Sequence, residues 1–167
     1  TIRSVHTVTN QLTGCHPEAE PGVAVGGWGL DAARFVGVRI EDIRGAHGNR
    51  TAGGGCPDEL AGKGGAAIGF SLAQAHDAVI ADSVVTDLTP GQGGCGTNDR
   101  DAAGTGGDGR AITWEDSRNL AIVRTAFSDI REGRPGCEGH AGGGDTGTGV
   151  GLWLSDGAES ARVATTT

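Results

Sequence analysis

Short apolar blocks alternate with long glycine-rich segments along this chain. Four blocks align, each with an acid or amide, then Ile or Leu, then a glycine shortly after: Val36–Gly45, Ala81–Gly91, Val123–Gly133 and, more weakly, Val8–Gly14. Further apolar pieces lie ahead of these blocks or near the end of the chain: Val23–Val25, Ala66–Phe70, Ala111–Trp114 and Gly151–Leu154, the last followed by Ala161–Thr167. The pattern predicts an internal repeat.

The apolar blocks have the composition of β-strands. They are short, rich in Val, Ile, Thr and Phe, and bounded by Gly and Pro, and no segment keeps a helical apolar period for three turns. Ile43 and Leu88 are 45 residues apart, Leu88 and Ile130 are 42 apart, and Leu12 and Ile43 are 31 apart. Because the length varies in the glycine-rich segments while the blocks stay constant, the sequence predicts stacked units of a solenoid.

Stacking the units predicts ladders of apolar side chains about 4.8 Å apart. Four ladders are expected: Phe35, Ile80 and Ile122; Ile40, Val85 and Phe127; Ile43, Leu88 and Ile130; and Val25, Ile68 and Ile112. A thin core of this kind suits a chain with 4% aromatic residues and 33 glycines in 167 residues.

These strand–turn–strand blocks and ladders resemble the right-handed parallel β-helix repeat of the bacterial pectate-lyase-like superfamily. The resemblance implies an all-β, right-handed parallel β-helix of about three full coils plus partial terminal coils, with long glycine-rich loops on one face. We expect one solenoid segment over 1–167 with units at about 1–22, 23–65, 66–110, 111–150 and 151–167. A β-sandwich and a β-propeller fragment are alternatives that fit the glycine-rich loops less well.

Charge and composition exclude several kinds of partner. The formal charge is −8 with a single Lys, and no basic run is present, so nucleic-acid binding is not expected. No apolar stretch approaches the roughly 20 residues of a membrane span, and no leader is visible at the start. The sequence starts and stops inside the repeat, which predicts either a longer helix or copies stacked end to end.

The four cysteines lie one per glycine-rich loop, each directly after a glycine. They are Cys15, Cys56, Cys95 and Cys137, spaced 41, 39 and 42 residues apart. This predicts disulfides between neighbouring loops, with Cys95 paired to Cys137 and, by remainder, Cys15 to Cys56, although four cysteines allow three pairings. Free thiols and a metal site are the alternatives, and the paired ligand spacing of zinc sites is missing. Disulfides imply a secreted or cell-surface protein, and the composition suits a bacterial genome rich in G and C.

Asp42, Asp87 and Asp129 share one repeat position, so the stack brings like charges together. Solvent, nearby Arg side chains or a bound Ca²⁺ would offset the repulsion, and Ca²⁺ prefers oxygen ligands of this kind. The sequence therefore leaves a polar ladder and a calcium site as alternatives; no other cofactor is expected.

Catalytic residues are not identifiable. Asn98, Asp99, Asp101 and Asp108 crowd one loop, and paired carboxylates can hydrolyse glycosidic bonds, but the motifs of β-helix polysaccharide hydrolases and lyases are not matched. Three tryptophans, Trp28, Trp114 and Trp153, could form a sugar-stacking stripe or pack on the core.

The sequence favours a non-catalytic, extracellular structural or adhesive β-solenoid, a subunit or segment of a surface fibre or filament. Its expected partners are copies of itself, stacked end to end or laterally, or neighbouring coils of a longer chain, together with a polysaccharide. A polysaccharide lyase or glycoside hydrolase on the same fold, and a carbohydrate- or calcium-binding module, are the alternatives, because fold alone does not select a function.

Overall fold

The computed structural model describes residues 2–6, 19–48, 61–95, 103–137, 144–155 and 157–164. Within these residues the chain forms twelve β-strands and no helix. The strands are β1 (Ile2–His6), β2 (Gly22–Trp28), β3 (Arg34–Val36), β4 (Arg39–Arg44), β5 (Ala67–Ala73), β6 (Val79–Ala81), β7 (Val84–Thr89), β8 (Gly109–Glu115), β9 (Arg118–Val123), β10 (Ala126–Ile130), β11 (Gly149–Ser155) and β12 (Glu159–Ala164).

The strands build three four-stranded sheets in which every described pair is parallel. Sheet A has the order β1-β4-β7-β10, sheet C has β11-β8-β5-β2, and sheet D has β12-β9-β6-β3. Three consecutive strands, one from each sheet, make a coil: β2-β3-β4, then β5-β6-β7, then β8-β9-β10. Strand β1 lies below the first coil, and β11 and β12 lie above the third. The all-β prediction is confirmed, and the parallel three-sheet arrangement is compatible with a β-solenoid.

Three of the predicted ladders are confirmed by the strand register. Phe35 pairs with Ile80, which pairs with Ile122. The same register joins the remaining two sets: Ile40, Val85 and Phe127, and Ile43, Leu88 and Ile130. These side chains from different coils meet because the interval between successive coils, 45 and then 42 residues, is the same in all three sheets.

The fourth ladder was placed wrongly. Val25 pairs with Phe70, and Phe70 pairs with Ile112, whereas Ile68 lies opposite Val23 and Arg110. Matching the two isoleucines moved one strand by two residues, and the constant interval of 45 and 42 residues would have selected Phe70. Ile68 therefore does not belong to the ladder of Val25 and Ile112.

The first repeat also lies elsewhere than predicted. The block expected at 8–14 falls outside the described residues, and the strand that pairs with β4 is β1, with Ile2 opposite Ile40 and Val5 opposite Ile43. The three-residue interval between Ile2 and Val5 matches that between Ile40 and Ile43, whereas Val8 and Leu12 are four residues apart. Leu12 was therefore aligned with Ile43 in error.

The core is a narrow column between the three sheets. It contains Phe70, Leu72, Ile80, Val85 and Leu88 from the second coil and their neighbours in the coils on either side, all fully buried. Trp114 is the largest fully buried side chain. Column and sheets repeat together, so each added coil buries its apolar side chains on the coil before it.

Buried hydroxyls help the chain turn from one sheet to the next. Ser83, Ser117 and Thr125 are almost completely buried, and each donates a hydrogen bond to the carbonyl oxygen two residues earlier. Ser83 and Ser117 also accept a bond from the backbone of the preceding coil, from the N–H groups of Val38 and Ala75. These bonds satisfy polar groups that the corner would otherwise bury without partners.

Between sheet A of one coil and sheet C of the next, the chain makes the long glycine-rich excursions. Their described parts, 45–48, 61–66, 90–95, 103–108, 131–137 and 144–148, are extended but are not strands of the three sheets. We call this set the glycine bundle. Its segments carry glycines three residues apart, at 45 and 48, 62 and 65, 91 and 94, 104 and 107, 133 and 136, and 144 and 147. A three-residue repeat without internal hydrogen bonds is typical of polyproline II helices.

Backbone hydrogen bonds connect the glycine bundle in a continuous series. Gly65 N–H donates to Ala46 O at 2.8 Å, Gly91 to Gly65 at 2.9 Å and Gly107 to Gly91 at 2.9 Å. Two further bonds, from Gly133 to Gly107 and from Gly147 to Gly133, extend the series through the third excursion. The excursions are therefore a second packed layer beside the sheets, made of backbone instead of side chains.

Candidate functional site

The predicted aspartate ladder is present, and its cause is the backbone. Asp42, Asp87 and Asp129 have φ angles of 55°, 55° and 51°, in the left-handed region that Asp and Asn adopt more readily than most residues. Each interrupts the ladder pairing just before the last core residue of sheet A. The repeated aspartate therefore marks a repeated bend in the strand.

Arginines offset the charge of two of these aspartates. Arg44 Nε donates to Asp42 Oδ1 at 2.9 Å, and Arg131 Nη2 lies 3.8 Å from Asp87 Oδ1. Asp129 is exposed to solvent. Among the described residues no group of three or more His, Cys, Asp or Glu side chains is arranged to hold a metal ion. The arrangement fits the predicted polar ladder, and the calcium site stays a prediction without a described ligand cluster.

An open polar groove of about 900 Å³ follows the corner between sheets C and D. Its floor is an outward ladder in which Asp31 pairs with His76 and His76 pairs with Arg118. Its walls carry side chains from left-handed positions, including Asp77 and Asn119. Glycines and polar residues fill these positions because the chain has φ > 0 twice at each corner.

Hydrogen bonds between coils order the groove walls. Asn119 Nδ2 donates to Asp77 Oδ1 at 2.8 Å, and Gln74 Nε2 donates to Asp116 Oδ2 at 3.4 Å. His76 Nδ1 is buried and has no hydrogen-bond partner. Sequence reasoning missed this groove, although polar residues recurring at the corner positions 74, 77, 116 and 119 were the signal for it.

The three tryptophans do not form one stripe. Trp114 points into the core and is fully buried, so it cannot stack on a sugar. Trp28 is 70% exposed beside the groove, at one edge of sheet C, and Trp153 is 37% exposed at the opposite edge. The guanidinium of Arg110 lies 4.3 Å from the centre of the Trp153 ring. Only Trp28 is placed to act with the groove.

Cys95 and Cys137 form a disulfide with a Cα–Cα distance of 4.8 Å. Their spacing in the sequence favoured this pairing. The bond joins the excursions that leave the second and third coils. Cys15 and Cys56 lie outside the described residues, so their predicted pairing stays a prediction.

Of the acidic loop residues considered for catalysis, only Asp108 is described; Asn98, Asp99 and Asp101 lie outside the described residues. Asp108 Oδ1 accepts two bonds from Thr148, from its N–H and its hydroxyl, both at 2.9 Å. Arg110 Nη2 lies 2.8 Å from Asp108 Oδ2 and Lys63 Nζ lies 3.7 Å from it. Burial raises the pKa of this carboxyl, but Thr148, Lys63 and Arg110 together bring the pKa below the usual aspartate value. Asp108 therefore joins two excursions and is not placed as an acid catalyst.

The outermost strands of the sheets present unpaired edges within the described part of the chain. These are β1 and β10 in sheet A, β2 and β11 in sheet C, and β3 and β12 in sheet D. Large apolar side chains are exposed on the same strands, including Val36 at 60%, Leu154 at 48% and Val163 at 53%. Unpaired parallel edges with exposed apolar side chains are suited to pairing with further strands.

Comparisons with known proteins identify no family. No family model matches the chain, and no curated protein matches it. Among solved structures, the nine polyproline type II helical bundle springtail antifreeze protein from Granisotoma rainieri is similar at 19% identity and a TM-score of 0.19, covering 84% of this chain and 98% of that chain. That TM-score is too low to indicate a shared fold. No helix that could cross a membrane occurs among the described residues.

Proposed function

We propose that this chain is a non-catalytic structural segment of an extracellular β-solenoid whose coils wind in the right-handed sense, as in the pectate-lyase-like superfamily that the sequence resembles. Connections between parallel strands of one sheet are nearly always right-handed. The observation that carries the proposal is the constant register: all nine described strand pairings repeat the same residue interval in all three sheets.

A constant register makes a stiff rod. Each coil bonds to its neighbours through three parallel ladders and through the glycine bundle, and the Cys95–Cys137 bond ties the second coil to the third. A disulfide is typical of secreted and cell-surface proteins, which supports an extracellular place for the rod. Its partners are further coils, from neighbouring sequence or from other copies, in a surface fibre or filament.

The proposal is tested by offering the purified chain a panel of neutral, acidic and amino-sugar polysaccharides. We expect no new reducing or unsaturated ends above the buffer control, because no described carboxylate pair has the surroundings of an acid and its base partner. The matched variant is Asp77→Asn with Asp116→Asn, which removes the two wall carboxylates. Turnover by the unchanged chain that this variant abolishes would overturn the structural role.

Carbohydrate binding in the groove is the second candidate function. The exposed Trp28 ring beside a groove lined by amide, carboxylate and guanidinium groups is the specific observation that favours it, since sugars stack on aromatic faces and bond to planar polar groups. In the same panel, binding without turnover that Trp28→Ala weakens at least tenfold would favour this module. Binding that Trp28→Ala leaves unchanged would count against it.

A further inference from the structure

Two opposite edges of sheet C carry complementary side chains. On the outer edge of β11, Trp153 and Leu154 are large and exposed, at 37% and 48%. On the outer edge of β2, the residues at the same register positions are Gly26 and Gly27. The bulky positions of one edge thus correspond to the empty positions of the other.

We propose that copies of this chain join head to tail, with β2 of one copy pairing with β11 of the next and β3 pairing with β12. The inference rests on the proposed structural role and names the partner as a second copy. In the register used inside the molecule, Trp153 then lies opposite Gly26 of the next copy. Leu154 lies opposite Gly27, and the two end strands continue the sheet.

Inward-facing side chains support the same junction. Val163 continues the ladder of Ile80 and Ile122, yet it is 53% exposed while those two are fully buried. The next copy would place Phe35, the first member of that ladder, directly on Val163. The junction therefore buries apolar surface that a single copy leaves in water.

The third sheet fits the same step. At one end of the molecule β11 and β12 extend one layer beyond β10, and at the other end β1 extends one layer beyond β2 and β3. Joining the ends places β1 of the next copy on β10, with all three sheets continuous and parallel. A second copy thus supplies three edges with the right step and direction at once.

Charge opposes the junction at two positions. Asp31 would lie next to Glu159, and Arg34 next to Arg162, as the register of sheets C and D requires. Like charges at strand spacing repel, and salt screens exposed charges. Assembly should therefore strengthen as the salt concentration rises.

The test is sedimentation velocity and negative-stain microscopy of the chain over a range of concentrations and salt. We expect polar filaments with an axial repeat of about 19 Å, which is four strand spacings of about 4.8 Å, and more assembly at high salt. Gly26→Trp should raise the dissociation constant at least tenfold, since its new ring meets Trp153 across the junction. The isolated chain accepts it, because a Cβ at Gly26 meets no atom within 4 Å.

Three further variants keep the test decisive. Gly26→Ala adds only a methyl group and should assemble as the unchanged chain does. The exchange variant, Gly26→Trp with Trp153→Gly, should recover assembly because it moves the bulk to the other edge. Glu159→Arg should tighten assembly at low salt by facing Asp31 of the next copy, a gain that misfolding cannot produce.

Monodisperse chain at every concentration and salt, or assemblies that Gly26→Trp leaves intact, would overturn the junction. Turnover of a polysaccharide would instead overturn the structural role while leaving the sedimentation result readable. The two failures are therefore distinguishable.

Discussion

At the residue scale, most described glycines of the bundle are required for close packing and not for an unusual backbone angle. Among the described residues positive φ is confined, for glycine, to Gly29, Gly37 and Gly157. In the bundle, by contrast, a Cβ at Gly91 would overlap the carbonyl oxygen of Ala46. Glycine there allows one backbone to approach another closely enough to hydrogen-bond.

Gly91→Ala should therefore lower the free energy of unfolding by about 1–3 kcal/mol, the usual cost of forcing extra atoms into a packed interior. The methyl group would push the excursion away from Ala46 and lengthen the bond between Gly91 and Gly65. Urea unfolding followed by far-UV circular dichroism measures the change. The matched control is Gly26→Ala, whose Cβ enters open space and should change stability by less than about 0.5 kcal/mol. Equal losses in both variants would show that close packing is not the reason for glycine at 91.

Asp108 should make the stability of the chain depend on pH in the acid range. Its pKa in the folded chain is lowered, so the folded state binds the proton less readily than the unfolded state does. The stabilisation is present above the unfolded pKa of about 4 and is lost as the pH falls through the lower folded value. The melting temperature of Asp108→Asn should thus lie below that of the unchanged chain at pH 7, and the gap should narrow below about pH 4.

The control for this titration is Asp129→Asn. Asp129 is exposed and has φ 51°, a conformation that Asn adopts as readily as Asp. Its melting temperature should follow that of the unchanged chain at each pH. A gap for Asp108→Asn that stays constant down to pH 2 would contradict the role given to the carboxylate.

At the scale of elements, the excursions and the sheets are held by different forces. Strands pack side chains into the core, whereas the glycine bundle bonds backbone to backbone, and its described segments contribute few apolar side chains. The Cys95–Cys137 bond crosses between the two excursions that leave β7 and β10. It restricts the part of each coil that the apolar core does not hold.

Replacing both cysteines, Cys95→Ser with Cys137→Ser, should lower the free energy of unfolding by about 2–4 kcal/mol, since the bond closes a long loop in the unfolded chain. The double variant is preferable to a reductant because it leaves Cys15 and Cys56 unchanged. Urea unfolding under oxidising conditions measures the loss.

A matched comparison uses the hydroxyl pair that joins the same two coils. Thr86 Oγ1 and Ser128 Oγ lie 2.9 Å apart on the exposed face, and Thr86→Ala should cost at most about 1 kcal/mol. If the cysteine variant loses no more than Thr86→Ala, the covalent link is not restricting the excursions.

The sequence predicted the strands and three of the four ladders because a constant residue interval is visible without structure. It failed where residue type competed with the interval, as when Ile68 was matched to Val25 in place of Phe70. It also attributed the repeated aspartates to a cation, although φ angles near 50° at Asp42, Asp87 and Asp129 give a backbone reason. Torsion angles leave only a weak trace in residue choice, so polar corner residues were harder to interpret than apolar strands.

At the scale of the whole molecule, the solenoid carries different chemistry on different sides. One corner holds the polar groove with Trp28 beside it, the excursions add a backbone layer, and the two ends expose strand edges with large apolar side chains. The proposed rod uses the ends, and the second candidate function uses the groove. Neither surface could be assembled from the sequence without the register, because each combines residues about 40 positions apart.

The constant register also has a consequence for how such a gene can change. The second and third coils start at equivalent residues, Ala67 and Gly109, and their strands pair with the neighbours in the same way. Unequal recombination between the stretches that encode two coils would remove or add one whole layer. The layers on either side would then meet with their ladders still aligned, so a lineage could lengthen or shorten the rod without redesigning a single contact surface.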